Sequence, residues 1–474
     1  MAQYTVEKLI ELGSSKITGV AGKKNLDGSI SILAVAQEDS SACIRKGVVY
    51  NHDRTVQCLT NIVNKLEHSL KSKIAGVYVC GGGQSIRSVK NVIVKDLEEG
   101  AIVRQDMIDE LMDANRSMDY PEQEIIDAIT QEYKVDNQLQ LDPAGIQCKH
   151  LEGNFLNILW RKKFYYACNE CFKSAGINIV EMYLAPLVLA DSVLTESEKR
   201  SGCMLVDLGA ETTTVSVYYK NILRHIAVIP LGSNNITKDI ASLQIDEERA
   251  EEMKLEYGCA YTNNADIDNT LELAVGDGRK IESRRFIEIV ESRMEEIIRN
   301  VWYQMPNEFS DKMLGGIILT GGGSNMRNIV EAFHTFTPIE KIRIAKFVNG
   351  VINANQPEIT AHDGRMNTVL GLLERGNENC AGKDINDSLF APEDEGYTTT
   401  EKPKEPHQPG KGIIQTPEEK AAAEEAKRKK EEEEELKRQR EAEEERKKER
   451  ENSFWHRNKT KLKNFFSQII TEEE

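Results

Sequence analysis

"VEKLIELGSSKITGVAG", residues 6–22, and "GCMLVDLGAETTTVSVY", residues 202–218, follow one plan. An apolar strand ends in an acid, a Gly and small hydroxyl residues follow, and a second strand leads away. Glu11 and Asp207 hold the same place in the two copies, 196 residues apart. Each copy runs on through a turn into another apolar strand, "GSISILAVA" in the first and "NILRHIAVIPLG" in the second. Short apolar strands alternating with helical patterns read as α/β, and the repeat predicts two related α/β lobes.

The turn of such a hairpin is suited to anions. Gly13 and Gly209 let the backbone come close and leave N–H groups facing the turn. Ser14, Ser15, Thr212 and Thr213 add hydroxyl donors, Ala210 and Glu211 complete the second loop, and Lys16 supplies positive charge. A strand-end acid in each lobe, Glu11 and Asp207, suits a Mg²⁺ ion held directly or through water. One Gly-containing turn is usually only a turn; a matched pair predicts a phosphate clamp. In "GGIILTGGGSNMRNI", residues 315–329, an apolar strand runs into Gly321, Gly322 and Gly323. Backbone without side chains there lets a flat nucleoside lie close, with a plain tight turn as the alternative, and Ser324 or Asn325 is placed to cap a following helix. Neither GxxxxGK[ST] nor GxGxxG occurs.

Beyond these motifs, 474 residues suffice for two to four domains, and a net charge of −17 argues against nucleic acid as the main partner. No run of about 18 apolar residues predicts a membrane span, and "MAQYTVEKLIELGSSK" lacks the zones of a signal peptide, so a cytoplasmic location is expected. The nine cysteines are expected to be reduced thiols. Cys168 and Cys171 have CxxC spacing without the second pair of a zinc ribbon; two half-buried helix cysteines are expected, with redox or metal chemistry as the alternative.

Composition changes near residue 380. Residues 381–416 are polar with Pro and Gly and read as a flexible linker. Residues 417–452 carry 15 acids against 12 bases and read as a solvated helical spacer without a coiled-coil stripe. The basic, apolar "SFWHRNKTKLKNFFSQII" follows at 453–470.

The two hairpins and the glycine turn, in this order, resemble the phosphate 1, phosphate 2 and adenosine motifs of the actin/Hsp70/sugar-kinase superfamily. The segments between them narrow the resemblance to the bacterial cell-division FtsA family. They are "IRKGVV" at 44–49, "QEYKVD" at 131–136, Asp142-Pro143-x-Gly145, "NNITKDIA" at 234–241, "AEEMKLEYG" at 250–258, "ESRMEEI" at 291–297 and "MNTVLGLLERG" at 366–376. The resemblance runs over residues 4 to 378.

It implies an actin-like, two-lobed ATPase fold with the family's own small subdomain, followed by a disordered or helical tail. Lobe I would comprise 1–85, 165–200 and 361–380, and the small subdomain 86–164. Lobe II would take 201–232 and 301–360 as its core and 233–300 as its smaller part. ATP with Mg²⁺ is implied as cofactor, with Glu251 and Lys254 bracketing adenine and ribose and sharing a helix face at i,i+3. The implied role is a protein that polymerises on the cytoplasmic face of the cell membrane at midcell. It would bind the C-terminal peptide of FtsZ and recruit other divisome proteins. By resemblance, the FtsZ contact falls on "SRRFIEIVESRMEEI", with Arg284, Arg285 and Arg293 as its basic residues; read from the helix pattern alone, they are solvated surface charges.

Two departures from the family pattern bear on hydrolysis. Glu11 stands where Asp is usual, and Ala185 precedes Pro186 where many bacterial actins carry a water-orienting Glu. Gly232-Ser233 also replaces a common Gly-Gly. Phosphoryl transfer depends on positioning, so slow or no hydrolysis is expected, and no catalytic residue is assigned. The competing readings are a superfamily kinase, for which no substrate-side catalytic Asp is found, and an actin-like protein of the pilus-assembly or rod-shape type.

Wound as a helix over 453–471, Trp455, Leu462, Phe465, Phe466, Ile469 and Ile470 share a stripe, beginning beside Phe454. Arg457, Lys461 and Lys463 flank it and Lys459 can snorkel, the pattern of a helix lying on an anionic membrane, with a helix folded back onto its own domain as the alternative. Each cation near such a surface contributes about 1 kcal/mol. A single helix of this kind binds reversibly, so firm attachment is expected only from many copies acting together. Deleting residues 453–474 is expected to abolish pelleting with anionic liposomes while leaving nucleotide binding intact. Undiminished pelleting of the truncated protein would exclude this anchor.

Overall fold

Leu9 and Ile10 are neighbours in the strand Val6–Leu12, both fully buried, and they face opposite sides of a sheet. Leu9 packs with Val20, Tyr78 and Cys80, whereas Ile10 packs with Ile17, Ala21 and Val79. A strand apolar on both faces must be covered on both. On one face lie helices His52–Leu70, through Leu59, Ile62 and Leu66, and Lys162–Ser174, through Phe172. Helices Ala185–Val193 and Asn367–Arg375 cover the other, through Val188, Leu189, Val369 and Leu373. The structure, a computed structural model, describes residues 6–276 and 278–376. The expected linker 381–416, spacer 417–452 and amphipathic helix 453–471 lie outside the described residues.

The two lobes repeat one sheet. In lobe I the order is Ile179–Leu184, Val77–Gly81, Val6–Leu12, Lys16–Lys24, Ile30–Asp39, with Ile352–Asn353 added at the far edge. In lobe II it is Ile342–Ile344, Gly316–Thr320, Cys203–Leu208, Thr213–Tyr219, Ile222–Ile229. Both run parallel, parallel, antiparallel, antiparallel. Lobe II covers one face with helices Ser233–Ala241, Ser283–Tyr303 and Ile329–Phe336. On its other face Cys203, Leu205 and Ile318 join the cluster that holds Leu9 and Val20, so one core continues beneath both lobes.

The connection between the lobes, residues 185–201, is tied by ion pairs. Asp191 pairs with Lys199 at 2.7 Å and with Arg375. Glu198 receives the guanidinium of Arg343 at 2.6 and 2.8 Å, and its carboxyl lies at about 2, hydrogen bonds from Arg343 and Thr195 outweighing burial. A bidentate arginine fixes orientation as well as position.

Between Arg87 and Arg161 the chain leaves lobe I and returns. Strands Arg87–Asp96, Gln123–Val135, Gln138–Gln140 and His150–Arg161 form this insertion, with helix Gln105–Arg116 on one face through Ile108 and Leu111. Although it is inserted in lobe I, it extends the sheet of lobe II to nine strands through the Ala227–Arg87 pairing. Arg224, 5% exposed, crosses this seam to Glu132 at 3.1 Å and Gln131 at 3.3 Å. The amide of Gln131 donates to the Leu223 carbonyl at 2.9 Å.

Two local expectations change. Cys168 and Cys171 are wholly buried rather than half-buried, and burial pushes their thiols up to about 12 and about 11. Neither Ser324 nor Asn325 caps a helix: Gly322–Asn325 is a 3₁₀ turn, and the next helix starts at Ile329 behind Asn328.

Candidate functional site

Both phosphate-type turns close in the same way. Gly13 N–H donates to the Lys16 carbonyl at 3.1 Å, and Gly209 N–H to that of Thr212 at 2.9 Å. A Cβ on either glycine would stand 2.6 or 2.8 Å from that same oxygen, so the turns admit no side chain there. The spacing of 196 residues is kept along both strands: Glu11 faces Thr18 across the hairpin, and Asp207 faces Thr214.

Each turn is propped from its own lobe. Ser40 donates its hydroxyl to the Gly13 carbonyl at 2.7 Å and its N–H to that of Ser15 at 3.1 Å. In lobe II the first N–H groups of helix Ser233–Ala241 are used the same way, Ser233 to Gly209 at 3.0 Å and Asn234 to Ala210 at 2.7 Å. The Ser233 hydroxyl reinforces the first at 3.3 Å. Ser15 and Lys16 are exposed, Lys16 reaching Gln37 at 3.3 Å. Ser14 accepts from Gly47 N–H at 2.8 Å. Thr213 is fully buried and spends its hydroxyl on the Leu231 carbonyl, whereas Thr212 is half-buried. Glu211 reaches into lobe I, where its carboxylate accepts from Lys46 N–H at 2.7 Å.

Glu11 and Asp207 stand at the floor. Burial, then the negative charge of Asp207, pushes the Glu11 carboxyl up to about 8, against a hydrogen bond from Thr368. Burial alone raises Asp207 to about 6. The glycine turn completes the floor. Gly321 has φ of 81°, and a Cβ on it would lie 2.3 Å from Asp207 Oδ1. A carboxylate thus occupies the volume that any side chain at 321 would need. Gly322 and Gly323 follow, the latter against Leu208, while Ser324 turns its hydroxyl inward to the Gly321 carbonyl at 2.7 Å.

Glu251 and Lys254 lie on helix Glu247–Tyr257, packed on helix Ser233–Ala241. Lys254, 7% exposed, donates to Glu251 at 2.6 Å and to the Thr237 hydroxyl at 2.9 Å. The pair is preformed, with Glu251 the more exposed partner. Ala185 opens its helix with its Cβ facing Gly82. Arg293, some way off on helix Ser283–Tyr303, is gripped by both oxygens of Asp239 at 2.6 and 3.0 Å and also pairs with Glu296. Arg284 donates to Asn269 at 2.6 Å, and exposed Arg285 lines a groove of about 390 Å³ with Asp239 and Arg293.

Sequence reasoning missed three parts of this floor. Thr368 offers no signal apart from its place in the closing helix. The Lys46-Gly47 hairpin carries no signal beyond the family resemblance of "IRKGVV". Gly81–Gly83 was legible: "VYVCGGG" mirrors "IILTGGG", and Cys80 pairs with Glu11 as Thr320 pairs with Asp207.

The family model "Cell division protein FtsA" matches residues 204–364, and "SHS2 domain inserted in FTSA" matches 83–159. The cell division protein FtsA of Neisseria meningitidis is 32% identical over 331 residues, 68% of this chain and 80% of that protein. That of Porphyromonas gingivalis is 30% identical over 336 residues, 69% and 70% of the two chains. The Escherichia coli K12 protein is 25% identical over 398 residues, covering 80% and 92%. Among solved structures, a chain of the "PilM-PilN type IV pilus biogenesis complex" superposes with a TM-score of 0.54 at 16% identity, covering 78% of this chain and 99% of that one. The fold is actin-like.

The carboxyl pair gives the ligand-free protein a pH signature. Glu11 binds a proton up to about pH 8 when folded, whereas its ordinary value is 4.5. Between those values the folded state holds more protons than the unfolded, so this contribution to stability falls as pH rises. Thermal unfolding from pH 5 to 8.5 is expected to show a declining Tm for the wild type and a flatter profile for Glu11→Gln. Identical profiles would show that Glu11 titrates as in solution.

Proposed function

Because this chain belongs to the FtsA family of cell-division proteins, we propose that it is a nucleotide-gated scaffold which binds ATP with Mg²⁺ between its lobes. The observation that carries this reading is the matched pair of closed glycine turns, each ending a strand whose carboxyl holds its proton unusually tightly. Such a floor favours a cation. Among the described residues no group of three or more His, Cys, Asp or Glu is arranged to hold a metal. Mg²⁺ needs no such cage, since it keeps waters and takes phosphate oxygens beside one or two carboxylates. Asp207 and Glu11 fit that donor set, and the ion would neutralise charge between phosphate and protein.

The phosphates would lie against the backbone of Gly13–Lys16 and Gly209–Thr213, with the Ser14 and Thr212 hydroxyls and Lys16 as side-chain donors. Thr213 and Ser324 act from behind, since their hydroxyls are committed to the Leu231 and Gly321 carbonyls. Gly321–Gly323 would receive the nucleoside, with Glu251 and Lys254 at its edge. With Ala185 at the helix start no carboxylate is supplied there to orient water, in keeping with slow turnover.

From this gated body, the tail would reach the cytoplasmic face of the membrane, polymerisation would multiply its weak hold, and the groove beside Arg285 and Arg293 would take the FtsZ C-terminal peptide. The scaffold would then recruit further divisome proteins.

Removing the metal partner tests the core of this proposal. Asp207→Ala is expected to weaken Mg²⁺-dependent ATP binding by roughly tenfold or more, read by fluorescence titration. The wild type should turn over well below ~1 s⁻¹. Unchanged affinity in the variant would refute the site. For the partner contact Arg285→Glu is the cleaner variant, because Arg293 is engaged by Asp239. It is expected to weaken FtsZ-peptide binding, and retained affinity would move the contact elsewhere.

A further inference from the structure

The sequence "IRKGVV" folds as a tight hairpin, Ile44–Arg45 against Val48–Val49, with Lys46 and Gly47 as its two tip residues. Their φ values of 50° and 73° are both positive, which a two-residue hairpin turn of this hand requires. The tip is wedged into the cleft. A Cβ on Gly47 would lie 2.5 Å from the Gly83 Cα and 2.7 Å from the Gly82 carbonyl, and the Lys46 carbonyl accepts from Gln84 N–H at 2.8 Å.

Both tip N–H groups point outward from the hairpin, and neither is left to water. Gly47 N–H meets the Ser14 hydroxyl of the first phosphate-type turn at 2.8 Å. Lys46 N–H meets the Glu211 carboxylate of the second at 2.7 Å. Glu211 is 17% exposed at its side chain, with Lys238 at 3.7 Å from its other oxygen. An anion-cradling turn that carries its own carboxylate is unusual. A phosphate chain laid between the two turns brings further negative charge toward it, and like charges there repel. The counterpart position in the first turn, 196 residues earlier, is the small Ser15.

We propose that Glu211 is a placeholder for the terminal phosphate of ATP: it occupies the Lys46 N–H until that phosphate displaces it, so the Ile44–Val49 hairpin distinguishes a triphosphate from a diphosphate. This rests on the nucleotide reading above. The displaced carboxylate leaves Lys46 N–H and the ammonium of Lys238 to the phosphate, so the tip stays bonded while the bond between lobes changes owner. With a diphosphate the carboxylate stays in place.

The test uses the full-length protein, amide hydrogen exchange over residues 44–50, and titrations with Mg²⁺-ATP and Mg²⁺-ADP. In the wild type without nucleotide the Lys46 amide should be protected. Glu211→Ala should expose it; ATP should restore protection and ADP should not. Glu211→Gln, which keeps an acceptor but drops the charge, should raise the preference for ATP over ADP by roughly three- to tenfold. Protection unchanged in Glu211→Ala, equal rescue by both nucleotides, or an unaltered preference in Glu211→Gln overturns the placeholder. ATP binding with no selective rescue removes this inference alone; a wild type that binds neither nucleotide removes the underlying function as well.

Discussion

Two carboxyl groups that cannot both be charged at no cost organise this molecule. Glu11 and Asp207 end equivalent strands; burial raises both carboxyls, and the charge of Asp207 raises Glu11 further. Glu11 keeps its proton up to about pH 8 unless a counter-ion replaces it. Neighbouring structure is shaped to that demand. Thr368 on the closing helix donates to Glu11, and position 321 carries no side chain because Asp207 Oδ1 fills its space. The core shared beneath the lobes runs from Leu9 and Val20 to Leu205 and Ile318.

The connection between the lobes is tied down by ion pairs. Asp191, Lys199, Arg375, Glu198 and Arg343 knit residues 185–201 to both lobes. Hydrogen bonds from Arg343 and Thr195 hold the Glu198 carboxyl down to about 2, so its arm of this clamp is ionised at neutral pH. The insertion adds a second link, since it is covalently part of lobe I and hydrogen-bonded into the sheet of lobe II. A change in the angle between the lobes must therefore be taken up at the Ala227–Arg87 seam as well as at the connection.

Much of this was legible in the chain. The two hairpins announced themselves because alternating apolar residues, a strand-end acid and a glycine leave few ways to fold, and the duplication removed the ambiguity of a single turn. The Gly321–Gly323 turn was legible for the same reason. What escaped depended on contacts distant in sequence or on side-chain direction. Nothing local marks Thr368 as the partner of Glu11, and no pattern says that Ser324 and Thr213 turn their hydroxyls to carbonyls behind the loops. Arg293 reads as a surface charge on an amphipathic helix, yet Asp239 from another helix grips it with both oxygens. The insertion was visible as a segment, but its continuation of the other lobe's sheet was not, because strand pairing across one residue pair leaves no periodic trace.

Lobe I is assembled from the two ends of the described chain. Ile352–Asn353 pairs with Ile30–Ser31, helix Asn367–Arg375 packs against Val6–Leu12, and Lys24 donates to the Glu374 carbonyl 350 residues away. On a ribosome the first hairpin therefore emerges long before its lid exists. Lobe II and the insertion draw almost all of their strands from the middle of the chain and can close first, whereas one apolar face of the N-terminal sheet, covered in part by helix Ala185–Val193, waits for its second helix until Asn367–Arg375 is made. Synthesis at about 5–20 residues per second leaves that face incompletely covered for roughly 15–75 seconds. The apolar surface that stays incompletely covered longest during synthesis therefore belongs to the first sheet made rather than to the last.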